Sequence, residues 1–296
     1  MQSKKTVLRL PALAAGLALC APLMAQERTI PEYDDVRVDY PRSDFVRDLA
    51  GEDRFYFRFG AMYFAPDIKT NYIQAKNLSE VAETALGGPG PHYLEGETAA
   101  DPLLLPGIIL GYKLPWGKGW SVELIASTPP TLELKAEGKL ANEPLVPEVN
   151  GIPTGVPALG EKVATTKAAP PLVTLVKRFR LENRVQPYFG AGLGYLFTFD
   201  TEVTNPVATA LGEPDIEVDN KFGWAAQAGI DFHLDKHWWV TFDTKYITFP
   251  DVSATVTDMY VKAPGIPQIP YERVGDVEYN ADINVMAYTL GIGFTF

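Results

Sequence analysis

Cysteine is almost absent from this chain, and long apolar runs are absent after residue 25. The one cysteine, Cys20, lies near the amino terminus, and no later segment reaches 18 consecutive apolar residues. Beyond that first stretch the sequence therefore excludes disulfide bonds, thiolate catalysis and thiolate metal ligands. It also excludes a membrane-spanning helix there, since such a helix needs about 20 apolar residues.

Residues 1–25 have the pattern of a secretory signal peptide. Basic residues precede the nearly apolar run from Leu10 to Leu23, and Ala25 offers a small residue for cleavage. An exported chain without a spanning helix can cross a membrane as a closed β-barrel. We therefore expect a signal peptide over 1–25, a charge-dense periplasmic segment over 26–53, and an outer-membrane β-barrel over 54–296.

Histidine, serine and positive charge are also scarce. Three histidines and five serines follow residue 25, and the formal net charge is −11. Ser121, Glu123 and His233 are the one set of nucleophile, acid and base that the strand pattern places on one inner surface, and we assign them to a charged floor instead. The sequence predicts no catalytic site, no metal site and no cofactor, and its acidic balance disfavours nucleic acid as a partner.

What the chain does contain is alternation of bulky apolar residues with small or polar ones. From Tyr288 to Phe296, large apolar side chains occupy one face of a strand, and only Thr and Gly occupy the other. Such a strand fits a barrel whose apolar face meets lipid rather than a small lumen. Period-2 alternation predicts eight strands, at 54–65, 103–114, 119–129, 168–179, 185–200, 221–234, 238–250 and 281–296.

The connections between these strands are short and long by turns. Strands two and three, four and five, and six and seven are joined by short turns, whereas the other connections are long and rich in Pro and Gly. Bacterial outer-membrane barrels have this pattern, with the short turns in the periplasm. The predicted fold class is all-β: an eight-stranded antiparallel up-and-down transmembrane β-barrel with long extracellular loops, in the cell outer membrane.

One register of the strands is expected to face outer-membrane lipid. It is rich in aromatic residues near the strand ends, as interfacial girdles are. In the fifth strand this register runs on to Phe197 and Phe199. The fourth strand is ambiguous, because Lys177 would share the outward register with Val173 and Leu175.

The opposite register faces the lumen and divides by depth. Opposite charges in a narrow lumen must pair, and towards the periplasm they form a predicted charged floor of Arg58, Lys113, Glu123, Asp231, Asp243 and Lys245. Towards the outside lies a predicted hydrophobic pocket of Met62, Phe64, Leu105, Leu172, Leu196, Ile247, Phe249, Ile283 and Val285. The alternative is that these apolar side chains pack against one another and the loops.

Prolines cluster at the predicted extracellular ends of the first four strands. Pro129 and Pro130 face Pro170 and Pro171 across the boundary between strands three and four. Because proline removes a donor from the ladder, this boundary is a predicted lateral seam, through which an apolar guest leaves into the membrane. Proline is common in loops of all kinds, and this alone accounts for the cluster equally well.

The middle of the chain resembles a known family. Three segments carry the resemblance: Ala169-Pro-Pro-Leu-Val-Thr-Leu-Val-Lys-Arg-Phe179, Gln186-Pro-Tyr-Phe-Gly-Ala-Gly-Leu-Gly-Tyr195 and Gln227-Ala-Gly-Ile-Asp231. In this order they resemble the OmpW/AlkL family of outer-membrane proteins. The likeness extends in pattern over 54–296. It implies an eight-stranded barrel with a hydrophobic passage closed towards the periplasm, and uptake of small hydrophobic compounds by lateral release.

The terminal Phe296 resembles the signal by which the barrel-insertion machinery recognises outer-membrane proteins. The chain departs from the family pattern at 26–53 and in the long loops at 66–102 and 130–167, so the resemblance assigns no loop residue. We predict a passive outer-membrane carrier of small hydrophobic ligands. Two alternatives stay open, a structural or surface-interaction barrel without transport and a narrow ion-conducting pore.

Overall fold

The computed structural model describes residues 54–85, 87–144, 148–149, 151–262, 264–265 and 271–296. The signal peptide and the segment 26–53 lie outside the described residues, and both stay predictions. The strands are β1 (Phe55–Lys76), β2 (His92–Leu94), β3 (Glu97–Ala100), β4 (Leu103–Lys113), β5 (Trp120–Ser127), β6 (Thr131–Glu137), β7 (Glu148–Val149), β8 (Ile152–Pro153), β9 (Lys162–Ala168), β10 (Leu172–Arg178), β11 (Val185–Leu196), β12 (Thr198–Val203), β13 (Asp215–Val218), β14 (Lys221–His233), β15 (Trp238–Lys262) and β16 (Tyr271–Thr295). The helices are α1 (Glu80–Ala85) and α2 (Lys139–Asn142), and neither is long enough to cross a membrane.

Eight strands form a continuous ring of antiparallel pairings. The order is β1, β4, β5, β10, β11, β14, β15 and β16, and β16 pairs again with β1. Short connections join β4 to β5, β10 to β11 and β14 to β15 at one end of the ring, which we call the turn end. The long connections lie at the opposite end, the loop end. The prediction of an all-β antiparallel fold is confirmed.

Side chains alternate between the two faces of the ring, as the pleat requires. On β1, Phe59 is 55% exposed, whereas its neighbour Arg58 is 1% exposed. The ambiguous fourth predicted strand is β10, where Val173 and Leu175 point outwards with Lys177. The Lys177 amine donates to the Lys118 carbonyl at 2.6 Å, in the turn, so its charge lies at the end of the ring.

Three strands are much longer than predicted. β1, β15 and β16 contain 22, 25 and 25 residues, so the predicted limits at 65, 250 and 281 are wrong. β1 remains paired with β16 as far as Lys76, and β15 remains paired with β16 as far as Lys262. The hydrogen bonds of a ladder do not require an apolar outer face. Alternation of apolar and polar residues marks only the part of a strand that has such a face, so it predicts these strands too short.

The regions 66–102 and 130–167, predicted as loops, contain strands as well. β3, β6, β9 and β12 form a second antiparallel sheet, and β3 lies against β1. The predicted strand 185–200 is in fact two strands, because β11 ends at Leu196 and β12 belongs to the second sheet. Phe197 and Phe199 therefore do not continue the outward face of β11. The predicted strands 119–129 and 168–179 likewise shorten to β5 and β10, next to prolines that cannot donate to a ladder.

Candidate functional site

An apolar cluster fills the loop-end half of the ring. Met62, Leu172 and Ile247 lie in it, each at most 6% exposed. The structure brings together eight of the nine predicted pocket residues here: Met62, Phe64, Leu172, Leu196, Ile247, Phe249, Ile283 and Val285. Leu105, the ninth, is half-buried on the inward register of β4.

A cavity of about 210 Å³ lies over this cluster, towards the loop end. Phe64, Leu196 and Phe249 border it from the ring. No charged side chain borders it among the residues that the structure describes. Such a space favours an uncharged, apolar occupant, because a charged group would lose its hydration there without a partner.

The upper walls of the cavity come from segments that the sequence analysis treated as loops. These lining residues include Ile73, Leu94, Leu132, Leu134, Val163, Val277 and Tyr279. A signal for part of this set was present in the sequence, because Leu132, Leu134 and Ala136 alternate with charged residues on β6.

The short helix α2 lies over the cavity at the loop end. Its Leu140 and Ala141 are each 7% exposed and pack with Ile73 and Ala136, and Leu140 borders the cavity. The helix follows Gly138, whose φ of 62° is a backbone conformation that favours glycine. The Gly160 amide donates to the Ala141 carbonyl at 3.0 Å and ties the helix to the next loop.

A cluster of buried charges fills the lumen towards the turn end. Arg58 is ion-paired with Glu123, Lys245 is ion-paired with Asp243, and Arg58 Nη1 lies 4.0 Å from an oxygen of Asp231. All five side chains are at most 1% exposed. The structure thus brings together five of the six predicted floor residues. Lys113, the sixth, is exposed at the end of β4, where its amine donates to Thr295 Oγ1 at 3.0 Å.

Arg178 is a member of the cluster that the sequence analysis missed. Its Nη2 lies 2.8 Å from Glu123 Oε1, and its Nε lies 2.9 Å from Asp231 Oδ2. With Arg178 the cluster holds three cations and three carboxylates. The face of Lys177 on β10 was ambiguous in the sequence. The inward position of its neighbour Arg178 follows only once Lys177 is known to point outwards.

Neutral side chains add further hydrogen bonds to these charges. The Tyr56 hydroxyl donates to Glu123 at 2.6 Å, and the Tyr188 hydroxyl donates to Asp243 at 2.7 Å. The Gln227 amide donates to both carboxylates, at 2.9 and 2.8 Å. Glycine makes this filling feasible: a Cβ at Gly111 would lie 2.0 Å from the Tyr56 ring.

Ser121 and Glu123, two members of the catalytic set considered from the sequence, are hydrogen-bonded within this network. Ser121 Oγ accepts a hydrogen bond from Arg178 at 2.7 Å and lies 3.0 Å from the Tyr56 hydroxyl oxygen. The His233 ring stacks on Trp239, with centroids 5.3 Å apart. Within the part of the chain that the structure describes, no three His, Cys, Asp or Glu side chains are placed to hold a metal ion.

The four prolines of the predicted seam lie in an interruption of the ring wall. The ladder between β5 and β10 reaches Ile125 opposite Leu172, and the ladder between β6 and β9 begins with Thr131 opposite Lys167. Pro129, Pro130, Pro170 and Pro171 fall in the non-strand residues between these two ladders. Pro170 also borders the cavity, so the cavity and the interruption are adjacent.

Comparisons with known proteins agree with this architecture. Residues 154–296 match the OmpW family. Over these residues, slightly less than half of its length, the chain is similar to the OmpW family. The chain is 28% identical over 153 residues to outer membrane protein W of Vibrio cholerae serotype O1, an alignment that covers 51% of the chain and 62% of that relative. It is therefore a protein of the outer membrane.

Two further similarities extend the comparison. The chain is 36% identical over 92 residues to the uncharacterized outer-membrane protein y4mB of Sinorhizobium fredii, covering 31% of the chain and 38% of that relative. The chain thus aligns with less than two thirds of either curated relative. The crystal structure of OprG from Pseudomonas aeruginosa superposes with a TM-score of 0.60 at 20% identity, covering 83% of this chain and 96% of that one, and shows the same fold.

Proposed function

We propose that this protein is a passive outer-membrane carrier of small hydrophobic molecules, captured in the cavity at the loop end and released sideways into the membrane. In this proposal the ring is an eight-stranded up-and-down transmembrane barrel. Its long loops face the exterior, its short turns face the periplasm, and its outward aromatic face meets outer-membrane lipid. Its terminal strand β16, together with the following Phe296, is the segment that the barrel-insertion machinery recognises.

The apolar cavity is the observation that carries the proposal. It lies at the loop end of the ring, is bordered by residues of both sheets, and has no charged side chain among its described lining residues. Engineered apolar cavities of about 150 Å³ bind benzene, so a cavity of about 210 Å³ is large enough for one ring with a short substituent.

The charged cluster supports sideways release. An apolar molecule moving towards the turn end would have to displace side chains that are at most 10% exposed and mutually ion-paired. Breaking one buried ion pair costs about 3–5 kcal/mol. Pro170 borders the cavity. Across the interruption at Pro129, Pro130, Pro170 and Pro171 the described backbone has a single hydrogen bond, from the Ala168 amide to the Pro130 carbonyl at 3.3 Å, which makes this boundary the easier exit.

Uptake of an apolar dye by cells with and without the protein tests this function. Ala254→Trp places an indole at a residue that borders the cavity, whereas Ala226→Trp places one on the exposed outer face and serves as the matched control. We expect the protein to accelerate uptake, Ala254→Trp to abolish the acceleration, and Ala226→Trp to retain it. Equal uptake with and without the protein would refute transport and favour a structural or surface-interaction barrel.

A further inference from the structure

Two polar side chains that border the cavity, Thr166 and Asn205, are hydrogen-bonded to other groups of the protein, and Thr166 Oγ1 lies 2.7 Å from Thr201 Oγ1. The Asn205 amide donates to the Leu159 and Lys162 carbonyls at 2.8 and 2.6 Å, and its oxygen accepts from the amides of Val207 and Ala208 at 2.9 and 3.1 Å. These four bonds use the full capacity of the side chain. Asn205 therefore has nothing left to offer a guest.

Two hydroxyl groups on the upper wall are in a different position. Thr98 on β3 and Tyr279 on β16 are hydrogen-bonded to each other, and both side chains border the cavity. The two hydroxyls carry two protons, and one hydrogen bond joins them, so one donor and several lone pairs remain.

These hydroxyls are uncharged. Burial raises the pKa of Tyr279 above its usual value, so the phenol keeps its proton at neutral pH. The groups near it are apolar: Ile73, Leu94 and Leu140 pack around the same end of the cavity. At the opposite end the lining is Phe64, Phe249, Leu196 and Val285. The cavity thus has a pair of hydroxyl groups at one end and a predominantly apolar lining at the other.

We propose that Thr98 and Tyr279 form a recognition site for a single uncharged oxygen, so that the preferred guests are small alcohols, phenols or ketones of one-ring size. The hydrocarbon part of the guest lies between Phe64 and Phe249, and its oxygen points to the loop end. Carboxylates and ammonium ions are excluded, because no described lining residue carries a compensating charge. This inference rests on the proposed capture of small hydrophobic molecules in the cavity.

Binding of two matched probes to the protein in lipid nanodiscs tests the site. Benzyl alcohol and ethylbenzene have the same number of non-hydrogen atoms and differ in a hydroxyl against a methyl group. Headspace gas chromatography measures both, and empty nanodiscs correct for partition into lipid. We expect Tyr279→Phe to weaken benzyl alcohol binding by roughly five-fold, the equivalent of about 1 kcal/mol for one net hydrogen bond, and to leave ethylbenzene within about two-fold.

Thr98→Val is the second variant, and it should produce the same selective loss. It keeps the test decisive if Tyr279→Phe folds poorly. Tyr72→Phe is the matched control, since the Tyr72 hydroxyl donates to Glu278 at 2.7 Å and does not border the cavity. Equal weakening of both probes, or of neither, in Tyr279→Phe and Thr98→Val would overturn the recognition site while leaving capture intact. Failure of the unmodified protein to bind either probe would instead overturn the capture function itself.

Discussion

The charged cluster should behave as one interdependent unit, and a double-mutant cycle on Arg58 and Glu123 can measure this. Glu123 is ion-paired with Arg58 and Arg178, and it accepts hydrogen bonds from Tyr56 and Gln227. Glu123→Gln keeps the shape of the side chain but removes its charge. Two buried guanidinium groups then lose a carboxylate that they shared.

The expected magnitude follows from burial. Arg58 and Glu123 are 1% and 0% exposed, so water cannot replace a lost partner. Removing one member of a buried pair costs about 3–5 kcal/mol, and we expect this loss of unfolding free energy for Glu123→Gln and for Arg58→Met alike. The double variant leaves two cations and two carboxylates in balance. Its loss should be about 2 kcal/mol smaller than the sum of the two single losses.

Urea unfolding in lipid vesicles, followed by tryptophan fluorescence and by heat-dependent gel mobility, supplies these free energies. Lys76 and Glu278 are the control pair, because they are also ion-paired but 44% and 24% exposed. Their coupling should lie below about 1 kcal/mol. Additive losses of unfolding free energy for Glu123→Gln and Arg58→Met, or a coupling energy no larger than that of the control pair, would refute the interdependence of the charged cluster.

Three further predictions concern the passage and the ring. In planar bilayers the unmodified protein should show no steady conductance, and steady currents that change with Glu123→Gln would instead favour an ion-conducting pore. A disulfide from Thr131→Cys and Lys167→Cys, which face each other directly above the proline interruption, should slow dye uptake until a reductant is added; unaltered uptake would count against sideways exit there. Gly293→Ala should cost about 1–3 kcal/mol, because a Cβ would lie 2.1 Å from the Trp239 ring, and an unchanged urea midpoint would contradict that close contact.

The sequence alone was enough to assign the two faces of most ring strands. Successive side chains of a strand point to opposite sides. The outward face of a bulky residue such as Phe59 and the inward face of its charged neighbour Arg58 can therefore be assigned without knowing which residues they contact. The same local rule placed Glu123, Asp231 and Asp243 inside. It failed on β10, where Lys177 and Arg178 are both basic and alternation cannot rank them.

The tertiary structure decided what these inward residues meet. Arg178 reaches both Glu123 and Asp231, which lie 55 and 53 residues away along the chain. The second sheet and the cavity walls were also beyond a local rule, since Thr98 and Tyr279 are 181 residues apart in sequence. Above the ring no lipid-facing surface imposes alternation, so pairing there depends on contacts between distant segments rather than on a pattern within any one of them.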